Sequence, residues 1–282
     1  MSTQKQGIKL LLLLGLVLAW WVATAVAQTV SEQAPIRAVD AIGMTVADMD
    51  RSLAFYTQVL AFTPVSDVEV TGSAYEHLQG VFGLRMRVVR LRLGDEALVL
   101  TEYLAPRGRP IPVDSRSHDR WFQHIAIIVS DMERAYGWLR QHKVEHAFYR
   151  DVLGLTVVGK SKNYGLEQEH LNNVFGARLR ITTLRATAGP AIELLEYLAP
   201  RDGRPFPADA RANDLVHWQT TLIGRDLEAT AQQIRAGPFP LVSPRIVTMA
   251  ASQLGFTKGI LVRDPDGHVM QLIIPATQGA QR

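Results

Sequence analysis

Glu193 and Glu196 lie three residues apart in one apolar run, so on a strand they face opposite sides. Glu196 has a twin, Glu102, in a second copy of the same stretch, whereas Glu193 is matched there by Val99. A carboxylate that the duplication repeats is expected to be scaffold; one that it does not repeat is where chemistry is expected. The histidines sort by the same rule. His77 and His170 recur within a repeated Glu-His-Leu and read as packing or loop residues. His124 instead heads a strand otherwise rich in isoleucine, where its ring either bonds to backbone or serves as a ligand. His217 stands two residues before Gln219 on the same strand face, and His268 sits in a terminal turn, where a solvated ring is expected. Arg85, Arg87, Arg90 and Arg92 alternate with apolar residues, with a phase slip at Val88-Val89 that predicts a β-bulge. Such a row could bind an anion, but a sheet with one solvated face accounts for it without any ligand.

The elements that carry these residues are spelled out by an internal repeat. FYTQVLAF from Phe55, EHLQGVFGLRMR from Glu76 and EYLAPRGRPIP from Glu102 return as FYRDVLGL from Phe148, EHLNNVFGARLR from Glu169 and EYLAPRDGRPFP from Glu196. The offset is 93 residues at His77/His170, 94 at Glu102/Glu196 and 95 at Asp119/Asp214, the spacing of one supersecondary unit used again. Three times a β-run leads to an aspartate and then a helical face. Ala41 to Val46 precedes Asp48, His124 to Val129 precedes Asp131, and Gln219 to Ile223 precedes Asp226. The aspartates sit where an N-cap acceptor belongs, and Met49, Leu53, Tyr56 and Leu60 then recur at helical steps. Short β-runs follow each helix, the last pair closing on Asp264-Pro-Asp-Gly267, a hairpin turn by composition. Each unit therefore reads β-α-β-β-β, an α+β class.

At 282 residues, with 47% hydrophobic and 20% charged, the chain can bury a sizeable core. Lys5 and Lys9 precede an apolar run from Leu10 to Val26, and Ala25-Val26-Ala27 fits a cleavage signature, so residues 1–27 read as a signal peptide and the mature chain as periplasmic or secreted. Uncleaved, residues 8–27 would be a membrane anchor. With no cysteine, thiol catalysis and disulfides are excluded. Net charge is +3 at pH 7 with the arginines scattered, which disfavours a nucleic-acid partner.

The V-x-D-M-x-R-S-x-x-F-Y-x-x-V-L run from Val46, its relatives at Val129 and Phe148, and the closing R-D-P-D-G-H make the chain resemble the vicinal oxygen chelate superfamily: glyoxalase I, bleomycin-resistance proteins and extradiol dioxygenases. The resemblance implies βαβββ modules paired into a half-open β-barrel cup, with a divalent metal (Zn, Ni, Fe or Mn) held by residues of the first and last strands of each module. The first-strand positions here are Ala41, His124 and Gln219; the last-strand positions are Val99, Glu193 and Gln271. On this basis His124, Glu193, Gln219 and Gln271 are the expected metal set, with Glu193 doubling as general base. The expected activity is that of a metal-dependent lyase, isomerase or dioxygenase acting on a small substrate with vicinal oxygens. The two glutamines motivate a different class, a metal-free small-molecule binding protein of the bleomycin-resistance type.

Three module openings do not pair evenly. The middle unit carries ten extra residues between Asp131 and Phe148, which a longer helix or an internal deletion in a four-module parent would explain. A deletion product could also be inactive. The expected division is a signal peptide at 1–27, a metal-free N-terminal module at 38–120 with an unpaired sheet edge, and a two-module domain at 121–276 carrying the metal set. Pairing with a second chain would cover that edge.

Overall fold

The computed structural model describes residues 34–125, 149, 152–237, 239–249 and 253–276. The apolar N-terminal run and the helix expected after Asp131 lie outside them. The first module consists of β1 (Ile36–Thr45), α1 (Met49–Ala54), β2 (Thr63–Thr71), α2 (Ser73–Gln79), β3 (Arg85–Leu93) and β4 (Glu96–Ala105). The middle one supplies β5 (Thr156–Tyr164), α3 (Leu166–Asn172), β6 (Arg178–Arg185) and β7 (Ile192–Ala199). The last comprises β8 (Trp218–Gly224), α4 (Leu227–Ala236), β9 (Val247–Thr248), β10 (Phe256–Arg263) and β11 (Val269–Pro275). Among the described residues no helix is long and apolar enough to cross a membrane.

Local chemistry sets the helix starts. The Asp48 carboxylate accepts the N–H of Arg51 at 3.0 Å and that of Asp226 accepts the N–H of Ala229 at 2.9 Å. Each such cap is worth about 1 kcal/mol. Helix α1 buries Met49 and runs on into one π-helical turn at Phe55–Val59, while α4 buries Leu227, Ala231 and Ile234. Both helices thus lay an apolar stripe on the sheet behind them. The repeated Glu102 is scaffold as expected: it is buried, and its carboxylate accepts the N–H of Met49 at 3.1 Å.

The strand order corrects the expected division. Eight strands form one curled sheet in the order β2-β3-β4-β1-β8-β11-β10-β9, so the first module pairs with the last. Strands β5-β6-β7 form a separate three-stranded sheet. The reason lies in the edge of β8. That strand pairs antiparallel with β1 and parallel with β11, so both of its edges are taken within the first and last modules. The middle module packs on the back of the last one, where Leu184 and Leu194 share a core with Leu222, Ile260, Val262 and Leu272. Strand β8 covers the β1 edge of the first module, while β2 stands at the end of the sheet. The expected bulge at Val88-Val89 is also absent. Strand β3 pairs with β4 in unbroken register from Met86 to Leu93.

Candidate functional site

Strands β1 and β8 meet around a local two-fold. Ala41 pairs with Thr221 and Gly43 with Gln219. On the flanks, β4 sets Val99 beside Gly43, and β11 sets Gln271 beside Thr221. One rotation therefore exchanges Ala41 with Gln219 and Val99 with Gln271. The four positions implied by the resemblance are true equivalents, but they belong to the first and last modules.

The concave face of the eight-stranded sheet encloses a cavity of about 750 Å³, within the size range of sites for small molecules. Met86, Val88, Val99, Ile223, Phe256 and Ile273 form its apolar wall; Arg90, Arg92, Gln79, Gln219, Gln253 and Gln271 supply its polar groups. At the centre Gln219 Nε2 donates to Gln271 Oε1, and Gln219 Oε1 lies 3.3 Å from His217 Nε2. His217 is buried, and that burial pushes its pKa down to about 4. A neutral ring can donate through Nε2 to Gln219, Gln219 donates on to Gln271, and the Nε2 of Gln271 is left facing the cup with no acceptor among the described residues.

The expected metal set is not assembled. Gln219 and Gln271 face the cup. His124 and Glu193 line a second cavity of about 180 Å³ with Trp218, Thr220 and Met270. Since Gln219 alternates with Trp218 and Thr220, and Gln271 with Met270, the two cavities lie on opposite faces of the same strands. Glu193 accepts a hydrogen bond from the Thr183 hydroxyl at 3.2 Å and is solvent-exposed. His268 also lines that cavity, but its ring nitrogens are engaged with Asp264 and the carbonyl of Arg120, and among the described residues no three His, Asp or Glu side chains are grouped to hold a metal. The equivalent positions in the cup do not fit one either. Two are aliphatic, Ala41 and Val99, and the other two are amides bonded to each other. A first-row metal asks for imidazole or carboxylate donors.

Two further expectations change. His268 is not solvated but buried, its Nδ1 at 3.0 Å from Asp264 and its Nε2 at 2.8 Å from the carbonyl of Arg120. Both partners are acceptors, so both ring nitrogens donate. Burial opposes the charge this requires, but Asp264 outweighs it and raises the His268 pKa. The ring pins the Asp264-Pro-Asp-Gly267 turn to the segment before β5.

The four arginines of β3 divide two and two. Arg85 and Arg87 face away from the cup, with Glu69 and with Asp67 and Asp50 as partners. Arg90 and Arg92 face into it. Arg90 is bound at 2.9 and 3.1 Å to both oxygens of Asp40, while Arg92 has no acidic partner among the described residues. Assigning the row to a solvated face therefore missed its inner half. Counting parity from Met86 without a bulge would have found it.

Residues 38–147 match the model of the Glyoxalase/Bleomycin resistance protein/Dioxygenase superfamily. Among solved structures, a point variant of glyoxalase I from Zea mays superposes with a TM-score of 0.53 at 15% identity, covering 86% of this chain and 95% of that one. Unmodified glyoxalase I from Zea mays gives 0.52 at 14% identity, covering 86% and 94%. At these identities the likeness is one of fold. No curated protein matches the sequence.

Proposed function

We propose, from the match of residues 38–147 to the model of the Glyoxalase/Bleomycin resistance protein/Dioxygenase superfamily, that the chain is a metal-independent binding protein of that kind whose cup takes up one organic small molecule. One observation carries this reading. The four symmetry-related positions that would ligate a metal hold Ala41, Val99, Gln219 and Gln271, and the last two spend hydrogen-bonding capacity on each other. What remains is a cavity with an apolar wall and fixed amide groups, the composition of a site that binds by burial and orients by hydrogen bonds.

Metal-dependent lyase, isomerase or dioxygenase chemistry, expected from the resemblance, would need donors that this cup does not offer. Glu193 cannot act as base toward a molecule in the cup, because it lies on the other face of the sheet. Element analysis of dialysed protein tests the proposal: substoichiometric Zn, Ni, Fe and Mn, with ligand binding indifferent to chelator, is expected. A stoichiometric metal that is lost on Gln271→Leu would overturn it.

Export is part of the proposal. It is supported by Lys5, Lys9, the apolar run to Val26 and the Ala25-Val26-Ala27 signature. A mature N-terminus at Gln28 by mass spectrometry is expected. A retained leader would indicate the membrane-anchored form.

A further inference from the structure

The polar groups of the cup are unequally spent. Asp40, the one acid lining it among the described residues, gives both carboxylate oxygens to Arg90. Gln219 is engaged at both ends. Gln271 has its oxygen occupied and no acceptor for its Nε2 among the described residues, and Gln253 is in the same state, since its Oε1 accepts from the Tyr75 hydroxyl at 3.2 Å. Gln79 is 6% exposed and its buried Oε1 has no partner; its Nε2 has none among the described residues. Arg92 extends from the same face of β3 at the rim, without an acidic partner. Among the described residues the unspent donors are three amide nitrogens and one guanidinium, set against one buried unspent acceptor, Gln79 Oε1, and the hydroxyls of Ser66, Thr101 and Thr221, which can serve either way. Two guanidinium groups against one carboxylate leave the lining with one uncompensated positive charge.

Donors without acceptors define what the ligand must bring. Gln253 and Arg92 are solvent-exposed, so a ligand oxygen replaces water on their N–H groups, whereas a donor-rich ligand offers them no acceptor. An anionic oxygen gains more, because hydrogen bonds to charged acceptors are the stronger ones and Arg92 offers a planar pair of N–H groups to a carboxylate. The aliphatic and aromatic wall of Met86, Val88, Val99, Ile223, Phe256 and Ile273 demands an apolar body.

We infer that the ligand of the cup is an amphipathic organic carboxylate, its apolar body against the Met86–Phe256 wall and its carboxylate taken by Arg92 and the free amide nitrogens of Gln271 and Gln253. This rests on the proposed metal-independent binding role and names its ligand class. Arg90, already paired with Asp40, does not hold the anion.

Three probes of one shape test it by calorimetry: 2-naphthoate, its methyl ester, and 2-naphthylmethylamine, each with chelator-treated full chain. The carboxylate is expected to bind roughly tenfold more tightly than the ester, and the amine not at all. Arg92→Gln should bring the acid down to the ester and leave the ester unchanged, a pattern that general destabilisation would not produce. Gln271→Leu should weaken both. Equal binding of acid and ester would overturn the inference while leaving metal-independent binding intact. Tighter binding of the amine, or no binding of any probe, would overturn it outright. A metal requirement for binding would instead sink the underlying proposal.

Discussion

Arg109 and Asp214 are joined across 105 residues, the backbone N–H and the guanidinium of Arg109 both donating to the carboxylate at 2.7 Å. The repeat makes the same clasp in reverse: Arg204 donates to Asp119 through its backbone at 2.9 Å and its guanidinium at 2.6 Å. Gly108 runs against the carbonyl of Asn213 and Gly203 against that of His118, where any Cβ would collide with backbone. The two Pro-rich connectors thus cross, each holding the other through an almost fully buried aspartate.

From this clasp follows the first prediction. Asp214 also accepts the N–H of Arg211 at 2.8 Å, so Asp214→Ala strands two backbone N–H groups and a guanidinium. A loss of about 3 kcal/mol is expected by urea unfolding. Arg109→Ala should cost less, because its guanidinium is half exposed and water can replace it. Burial raises the Asp214 carboxyl, but Arg109 and the two N–H groups outweigh it and hold the pKa below the ordinary value. The contribution is therefore complete above that ordinary value, about 3.9, and lost as pH falls through the lower folded one. The acid limb of the wild-type stability curve should flatten in Asp214→Ala.

The clasp also shows where the sequence was legible. The repeat offsets already aligned Asp119 with Asp214, and the caps at Asp48 and Asp226 are local signals that tertiary context left untouched. Scaffold and unshared residues separated correctly at Glu102. What local pattern could not reveal was partnership. Strand β8 is compatible with any open edge, and its choice of β1 depends on a register formed across some 180 residues. That choice moved the cup from the middle and last modules to the first and last, and so exchanged His124 and Glu193 for Ala41 and Val99. The inward arginines were missed for a simpler reason. A change in which face is polar, at Val88-Val89, imitates a bulge in sequence, and only the unbroken pairing with β4 tells the two apart.

The second prediction concerns pH. His217 is buried with its pKa lowered to about 4, chiefly by desolvation, so the folded protein keeps it neutral where the unfolded chain charges it. Its contribution is complete above the unfolded pKa of about 6.5 and is lost as pH falls toward 4, costing up to about 3 kcal/mol. His268, with a raised pKa, works in the opposite direction: its contribution is complete below about 6.5 and fades as pH rises through the higher folded value. Between pH 7 and 5 the wild-type unfolding free energy should fall more steeply than that of His217→Leu, comparing slopes and not absolute stabilities. Equal slopes would mean that His217 takes up its proton as readily in the fold as in the unfolded chain.

A third prediction uses Ser243, which is fully buried and ties the last module to the first. Its hydroxyl donates to the carbonyl of Leu78 at 2.6 Å and accepts the N–H of Leu261 at 2.8 Å. Ser243→Ala leaves both backbone groups unpaired at the floor of α2, next to Gln79 of the cup. A cost of about 2 kcal/mol is expected, read from the denaturation midpoint. Since the overall fold does not depend on that single hydroxyl, the slope of the transition should stay as it was.

The fourth concerns the amide pair. A Cβ on Gly43 would stand 2.8 Å from Gln219 Cγ, with Gln219 Nε2 at 3.3 Å. That neighbour is a flexible side chain and not backbone, so Gly43→Ala should fold but push Gln219 away from Gln271. The side-chain amide signals of both glutamines should move in nitrogen-15 spectra, while those of Gln253 stay in place. Ligand affinity should drop because Gln271, no longer held through its Oε1, loses its fixed donor direction.

The last prediction turns the missing donors into a positive experiment. If the two-fold really relates Ala41 to Gln219 and Val99 to Gln271, replacing residues at those positions with imidazole and carboxylate donors should create a metal site where the natural cup has none. Gln271→Glu alone supplies one strong donor beside an amide and should remain metal-free. Gln219→His with Gln271→Glu supplies two on adjacent strands, and adding Val99→Glu brings a third from across the axis. Three protein ligands with one open position suffice for a Zn site. Stepwise titration with Zn²⁺ should therefore give no saturable binding for the single variant, weak binding for the pair and one equivalent for the triple, with Tm rising on metal addition only in the last two. Stoichiometric binding by the unmodified chain would show that the donors lie elsewhere. Failure of a well-folded triple variant to bind would show that the two-fold places these four side chains too far apart to share an ion.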